Sequence, residues 1–340
     1  MKNKKRIALA VAVVLAVTAL PMTVFASKKD KEEEKLSKVT LNEVAHSVFY
    51  APQYVAIEKG YFAEEGLKLT LVTGFGADKT MTAVISGEAD IGFMGAEASV
   101  YAYQEGATDP VVNFAQLTQR AGNFLVAREA MPDFKWEDLK GEKVLGGRKG
   151  GMPEMVFEYI LKKNSIDPQK DLIIDQSIDF GSTAAAFTGD DSAAYTVEFE
   201  PSATILEKEG AGYVVASLGE ASGYVPYTSY SAKASYMKEN PEIIQKFTDA
   251  LQKGMDYVQS HTPEEIAEVI APQFKETDLE TITAIVKRYY DQDTWKENLI
   301  FEKDSFELLQ DILEDAGELT DRAAYEDLVQ TEYARKACES

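Results

Sequence analysis

Short apolar segments alternate with amphipathic segments along the first two thirds of the chain. The apolar segments have the length of strands, and the segments between them repeat their apolar residues every three to four positions, as helices do. Strands are predicted at residues 39–44, 67–72, 89–94, 111–117, 143–145, 172–175, 194–197 and 213–216, and helices at about 50–58, 78–86, 96–103, 153–163, 182–187 and 201–208. This alternation predicts α/β sheets that are mostly parallel and flanked by helices.

The alternation is interrupted between residues 131 and 142 and then starts again, which predicts two α/β units. From Pro241 onward the chain is nearly all helical, with polar caps and early acids at each helix start. Open α/β sheets bind ligands at the carboxyl ends of their strands, so two units that face each other form a cleft. The predicted fold is therefore a two-lobed α/β protein with a ligand cleft between the lobes.

Residues 1–26 have the pattern of a secretory signal peptide. Four cationic residues within the first six precede an apolar segment, Ile7 to Leu20, and a small-residue site that ends at Ala26. The apolar segment is short for a membrane-spanning helix, although an uncleaved anchor is the alternative. Residues 27–38 are nearly all charged or Ser and predict a solvated tether. Ser27 stands where a lipid-bearing cysteine would follow, so we expect an exported protein, periplasmic or extracellular at the cell surface, without a lipobox cysteine.

Composition narrows the class of protein further. The chain has 45% hydrophobic and 27% charged residues, as folded globular proteins do, and a formal net charge of -22. Such a charge repels phosphate backbones, so we expect no nucleic-acid partner. Cys338 is the single cysteine and no His or Cys spacing fits a metal site, so neither a metal nor another cofactor is predicted. A monomer is the default expectation.

Loops that follow the predicted strands supply candidate ligand-binding residues in the first unit. Some combine polar donors with aromatic rings, and others place small residues at a helix start. Phe49 could instead pack its helix on the sheet, and Glu97 could cap its own helix or bind a ligand amine. The candidates of this unit are His46, Ser47, Phe49, Tyr50, Gly95, Glu97, Gln116 and Thr118.

The second unit contains a glycine-rich loop, Gly146 to Pro153, between a predicted strand and a helix. Its glycines permit close backbone approach, and Arg148 could add charge to an anion-holding nest of amides. The loop fits neither the Walker nor the Rossmann pattern, and a plain tight turn is the alternative. Glu200 could serve only as a helix cap before Pro201. The candidates of this unit and of the return crossing are Arg148, Gly150, Gly151, Met152, Phe180, Glu198, Glu200, Tyr224 and Tyr227.

Three segments resemble one family of solute-binding proteins: residues 39–65, which include Glu58-Lys59-Gly60-Tyr61-Phe62, Val84 to Gly92, and Asp138 to Val144. Their order and spacing are similar to those of ABC-importer binding proteins of the sulfonate, nitrate, taurine and thiamine-pyrimidine-precursor branch, and the resemblance covers roughly residues 39–329. It implies the type-2 periplasmic-binding-protein fold and ABC permease subunits as partners. Lobe I would comprise residues 38–127 and 220–335, lobe II residues 128–219, with two crossing segments as the hinge.

The candidate cleft combines acids with aromatic rings, to which Phe199 adds another. This favours an aminopyrimidine or other aromatic nitrogen heterocycle, captured by lobe closure for import. Arg148 and the glycine-rich loop keep an aliphatic sulfonate, taurine or nitrate as the alternative ligand. No catalytic motif is present, so the chain is predicted not to be an enzyme. A pyrimidine-biosynthesis-like enzyme, for which His46 has the right position, and a sensor of the same fold are remote alternatives.

Overall fold

Two five-stranded sheets form the framework of the chain in a computed structural model that describes residues 36–178 and 181–339. The predicted signal peptide, residues 27–35 of the predicted tether and Phe180 lie outside the described residues. The strands are β1 (Ser37–Glu43), β2 (Leu67–Thr73), β3 (Ile91–Gly95), β4 (Val111–Thr118), β5 (Asn123–Ala127), β6 (Lys143–Leu145), β7 (Ile173–Asp175), β8 (Tyr195–Phe199), β9 (Tyr213–Ser217) and β10 (Thr228–Lys233).

Helices cover the sheets and form the C-terminal third of the chain. They are α1 (Ala51–Glu58), α2 (Tyr61–Glu64), α3 (Ala77–Ser86), α4 (Glu97–Gln104), α5 (Met152–Lys163), α6 (Thr183–Gly189), α7 (Ser202–Lys208), α8 (Leu218–Ser222), α9 (Ala234–Glu239), α10 (Pro241–Ser260), α11 (Pro263–Ile270), α12 (Leu279–Asp291), α13 (Lys303–Asp315), α14 (Tyr325–Leu328) and α15 (Glu332–Ala337). Among the described residues, no helix has the length and apolar character that crossing a membrane requires.

The two sheets share one topology. Their strand orders are β2-β1-β3-β10-β4 and β7-β6-β8-β5-β9. Only β10 in the first sheet and β5 in the second are antiparallel to both of their neighbours, so four of the five strands in each sheet run in one direction. The predicted α/β fold with two mostly parallel sheets is therefore confirmed.

The chain crosses between the sheets twice, through residues 119–122 and 223–227. The crossings run side by side, because the Val225 N–H donates to the Gln119 carbonyl at 2.9 Å. The first crossing leads directly into β5, which pairs with β8 and β9 and so belongs to the second sheet. This pairing places lobe II at about residues 123–222, a longer range than the 128–219 expected from the sequence.

Polar caps begin the C-terminal helices, as the sequence predicts. Thr262 and Glu265 form a reciprocal capping box at the start of α11, and the Asp278 side chain accepts a hydrogen bond from the Thr281 N–H at the start of α12.

The segment after α13 contacts both lobes. Glu318 pairs with Lys149 of lobe II, whereas the Asp321 carbonyl accepts a hydrogen bond from Gln104 of lobe I.

Candidate functional site

A cavity of about 220 Å³ lies between the two lobes at the carboxyl ends of β1, β3, β6 and β8. This is the edge at which α/β sheets present loops and helix starts to a ligand. Eleven of the residues predicted from the sequence line it: His46, Ser47, Tyr50, Gly95, Glu97, Arg148, Gly151, Met152, Glu198, Glu200 and Tyr227. The structure thus brings together residues from four strand ends and the return crossing.

Five other predicted residues lie outside the lining of this cavity. Phe49 is fully buried beneath it, with its ring edge-on to Phe199 and Tyr227. The buried side chains of Gln116 and Thr118 bond within lobe I. The Gly150 carbonyl accepts a hydrogen bond from Tyr101, and Tyr224 is 58% exposed and donates to Asp293.

Several lining residues are absent from the sequence-based set: Val44, Ala45, Gly76, Ala77, Pro153, Gly181, Ser202 and Thr228. Gly76 and Ala77 follow β2 at the start of α3. Ligands bind at the carboxyl ends of parallel strands, so these two residues are predicted as candidates when the loop after β2 is included. Thr228 begins β10, a strand that the apolar pattern does not predict.

Glu97 presents a free acceptor to the cavity. Its side chain folds back over Gly95 so closely that a Cβ on residue 95 would lie 2.0 Å from Glu97 Oε2, so a larger residue there would displace the carboxylate. Glu97 is 3% exposed, and Oε2 has no hydrogen-bond partner among the described residues. Burial raises the pKa of Glu97 to about 7, against the opposing effects of its own N–H, the Met152 N–H and Arg148.

Glu198 approaches the cavity from the opposite lobe, on β8. It is 3% exposed and accepts a hydrogen bond from the Thr196 hydroxyl at 2.7 Å. Burial raises its pKa to about 7 as well. Neither Glu198 nor Glu97 has a cationic side chain within ion-pair distance among the described residues, so a solute must neutralise them, or they bind protons.

Glu200 also lines the cavity, but its charge is already paired. Arg288 donates to its Oε1 at 2.6 Å, and the Thr204 N–H donates to its Oε2 at 2.9 Å. Burial raises the pKa of Glu200 while Arg288 and Thr204 oppose that rise. Thr204 belongs to α7 and Arg288 to α12, so Glu200 links these two helices at the edge of the cavity. Neither of its oxygens is left free for a solute.

Aromatic side chains form the apolar walls. Tyr50, Phe199 and Tyr227 line the cavity, and Tyr50 packs against Phe93 with ring centroids 4.4 Å apart. The Tyr227 hydroxyl is buried without a hydrogen-bond partner among the described residues, and burial holds the pKa of Tyr227 well above its usual range. This hydroxyl therefore remains protonated and can donate to a solute.

His46 bonds to acceptors through both ring nitrogens. Nδ1 lies 2.8 Å from Glu43 Oε1, and Nε2 lies 3.0 Å from the Gln273 carbonyl oxygen. The hydrogen bond to Glu43 raises the pKa of His46 despite partial burial. Both ring nitrogens are therefore occupied within lobe I, and His46 offers no free nitrogen to a solute.

Arg148 lies at the rim of the cavity on the glycine-rich loop. Its side chain is 49% exposed, and Nη2 lies 3.9 Å from Oδ1 of Asp78 on the opposite lobe. An exposed pair at this distance contributes only about 0–1 kcal/mol.

The described residues contain no group of three or more His, Cys, Asp and Glu that could hold a metal ion.

Comparisons with known proteins agree with this architecture. A family described as "NMT1/THI5 like" matches residues 48–266. A Bacillus subtilis (strain 168) protein named "Putative binding protein YtlA" is 47% identical over 312 residues, which are 92% of this chain and 93% of that protein. An Aspergillus parasiticus protein named "4-amino-5-hydroxymethyl-2-methylpyrimidine phosphate synthase" is 26% identical over 225 residues, 62% of this chain and 63% of that protein.

Solved structures share the fold at low sequence identity. The ligand-binding component of an ABC-type import system from Staphylococcus aureus, solved with zinc bound, superposes with a TM-score of 0.71 at 15% identity, covering 89% of this chain and 100% of that chain. The alkanesulfonate-binding protein SsuA of Xanthomonas axonopodis pv. citri, bound to MOPS, gives a TM-score of 0.69 at 15% identity, with 87% of this chain and 99% of that chain covered.

Proposed function

This chain belongs to the NMT1/THI5-like family, and from that membership we propose that it is the extracytoplasmic solute-binding component of an ABC importer. It captures a small solute between its lobes and delivers it to permease subunits in the membrane. The cavity between the two sheets supports the proposal, as does the B. subtilis relative, which is named as a binding protein. The import-system protein from S. aureus has the same fold.

The solute is an aminopyrimidine or another aromatic nitrogen heterocycle that carries hydrogen-bond donors. Glu97 and Glu198 are the observation that carries this assignment, because they face one cavity from opposite lobes without a cationic partner. A carboxyl group with a pKa near 7 can accept a hydrogen bond from an amino group and, when protonated, donate one to a ring nitrogen. The rings of Tyr50, Phe199 and Tyr227 provide surfaces against which a planar solute packs.

Titration calorimetry with the mature protein tests this assignment. We expect 4-amino-5-hydroxymethyl-2-methylpyrimidine, or its formylamino analogue, to bind with a micromolar or lower Kd and to raise Tm, because a ligand that binds only the folded state stabilises it. A matched Glu97→Gln variant should bind at least tenfold more weakly, since its amide keeps an acceptor and a donor but lacks the negative charge that strengthens a hydrogen bond from the amino group of the solute.

A sulfonate is the second candidate solute. Arg148 and the Gly151 backbone line the cavity, and the X. axonopodis protein of the same fold is named as an alkanesulfonate-binding protein. Two buried acids repel an anion, however, and Arg148 is half exposed. Stabilisation by taurine or an alkanesulfonate, together with none by the pyrimidines, would establish the sulfonate and refute the heterocycle.

The proposed role is capture rather than catalysis. The A. parasiticus relative is named as a pyrimidine phosphate synthase, but the B. subtilis relative of far higher identity is named as a binding protein. In this chain both nitrogens of His46 are occupied by Glu43 and Gln273. Recovery of the pyrimidine chemically unchanged after prolonged incubation with the protein is the expected result.

A further inference from the structure

A second, larger cavity adjoins the first. We call it the outer groove: a cavity of about 700 Å³ between α3 and α4 of lobe I, covered on one side by Arg148 and Gly150 of lobe II. Ala77, Glu97 and Arg148 line both the outer groove and the inner cavity. The outer groove therefore begins where the inner cavity ends.

The boundary between the two cavities is weakly held. It includes the pair of Arg148 and Asp78, whose side chains are 49% and 62% exposed and whose charged atoms lie 3.9 Å apart. Exposed ion pairs at this distance are weak, because solvent screens them. A substituent on a solute in the inner cavity can displace this pair at little cost.

The floor of the outer groove is apolar. Met81 and Ala98 line it, and both belong to a small hydrophobic cluster, with Met94 and Val84, that is separate from the main core. Ala102 packs against this cluster and also lines the groove. Methionine side chains adapt their shape to what they contact, so this floor accommodates apolar groups of different shapes.

The far end of the groove carries an acid with no ion-pair partner among the described residues. Helix α4 runs along the groove from Glu97, which touches both cavities, to the turn that contains Glu105. Eight residues at 1.5 Å each separate the two acids by roughly 12 Å. Asp109 lies beyond Glu105 but already accepts hydrogen bonds from Ser235. The hydrogen bond from Ser235 and the charge of Lys233, which also lines the groove, lower the pKa of Asp109. Glu105 is therefore the exposed acid at that end that remains available to a cationic group.

We propose that the outer groove is a subsite for a substituent of the solute whose ring occupies the inner cavity, and that it selects a substituent that is apolar near the ring and cationic at its far end. The apolar part lies on Met81, Ala98 and Ala102, and the cation lies beside Glu105. This inference rests on the proposed function and extends it from a single ring to a solute of two parts.

Three synthetic probes separate the contribution of the apolar part of the substituent from that of its terminal cation. They are 4-amino-2-methylpyrimidines that carry methyl, hexyl or 6-aminohexyl on ring carbon 5, and their affinities are measured by calorimetry with the full mature chain. We expect the hexyl compound to bind about tenfold more tightly than the methyl compound. The aminohexyl compound should gain a further threefold at low salt, a gain that high salt removes.

Two variants locate the effect. Ala102→Phe fills the groove, so it should abolish the hexyl gain while the affinity for the methyl probe stays unchanged. Ala63→Phe, on the exposed face of α2, is the matched control and should preserve all three affinities. Glu105→Gln should remove only the difference between the aminohexyl and hexyl compounds.

Equal affinities for the three probes would overturn the subsite, as would a loss in Ala102→Phe that is the same for all of them. Failure of the methyl probe to bind would instead contradict the heterocycle as the solute of the inner cavity, and the subsite would fall with it. The affinity for the methyl probe therefore tells the two failures apart.

Discussion

Three glutamates line one cavity, and their partners decide what each can do. Glu97, Glu198 and Glu200 are each at most 3% exposed. Arg288 neutralises Glu200, whereas Glu97 and Glu198 lack such a partner among the described residues. An unpaired buried carboxylate is costly, so in the empty site these two groups bind protons more tightly than they do in an unfolded chain.

The stability of the empty protein should therefore fall as the pH rises. Glu97 has a pKa of about 7 in the folded chain against 4.5 for the model carboxyl, so its stabilising contribution is complete below pH 4.5 and is lost as the pH passes 7. The loss is on the order of 3 kcal/mol. Urea unfolding at pH 5 and pH 8 should show a smaller fall in Glu97→Gln than in the wild type.

The exposed Glu105 is the control for this pH dependence. Glu105→Gln should keep the wild-type difference between pH 5 and pH 8, because it removes an exposed side chain and leaves the buried acids of the cavity in place. Equal pH dependence in Glu97→Gln and the wild type would contradict the assignment of a proton to Glu97.

The sequence located these acids but could not tell them apart. Glu97 and Glu198 were placed in the cleft because they stand at strand ends, and the topology brings those ends together. The partner of Glu200, Arg288, stands 88 residues further along the chain, and no local pattern connects the two. Pairing at that separation is a property of the tertiary structure.

At the scale of elements, the apolar pattern found all eight of the described strands that run in the common direction of their sheet and missed the two antiparallel ones, β5 and β10. β10 reads Thr-Ser-Tyr-Ser-Ala-Lys, yet Thr228, Ser229 and Ser231 are buried. Their burial is compensated by hydrogen bonds, such as that from the Ser229 hydroxyl to Asn113. Because most of the buried residues of β10 are polar, its sequence shows no alternation of apolar and polar positions. The hydrogen-bond partners that compensate for their burial lie on other strands, so the segment itself gives no sign of them.

Helix α12 is fastened to lobe II by Arg288, which bonds to Glu200 and Glu207 at 2.6 and 2.9 Å. Arg288→Gln would leave the buried Glu200 without its counter-charge, and we expect a loss of about 3 kcal/mol in the free energy of unfolding at pH 8. Urea denaturation measures this loss directly.

The adjacent Lys287 provides the matched comparison. Its pair with Asp291 is more than half exposed on both sides, so Lys287→Gln should cost no more than about 0.5 kcal/mol. If the two variants lose the same stability, Arg288 does not fasten α12 through a buried charge.

At the scale of the whole molecule, polar contacts join the lobes around the cavity. The Ser47 hydroxyl donates to the Glu200 carbonyl, and the Tyr101 hydroxyl donates to the Gly150 carbonyl, each at 3.2 Å. Both bonds join lobe I to lobe II, and Phe49 of lobe I also packs against Phe199 of lobe II. Small changes in these contacts should therefore shift the balance between open and closed lobes.

Tyr101→Phe removes one such contact and leaves the lining of the inner cavity intact. A net hydrogen bond of about 0.5–1.5 kcal/mol predicts an affinity for the pyrimidine about two- to tenfold weaker, and a larger radius of gyration in X-ray scattering. Tyr103→Phe is the control on the same helix, because its hydroxyl bonds to Asp327 and not to lobe II. An equal effect of both variants would argue against a contact that favours closure.

The position of β10 also sets an order of assembly. β10 lies between β3 and β4 in the first sheet, yet it follows the whole second sheet in the chain. As the polypeptide emerges from residue 1, β3 and β4 have no strand between them until residue 233 is available, whereas every strand of the second sheet is present by residue 217. The inserted lobe can complete its sheet first, and the lobe that contains the start of the chain is the last to close.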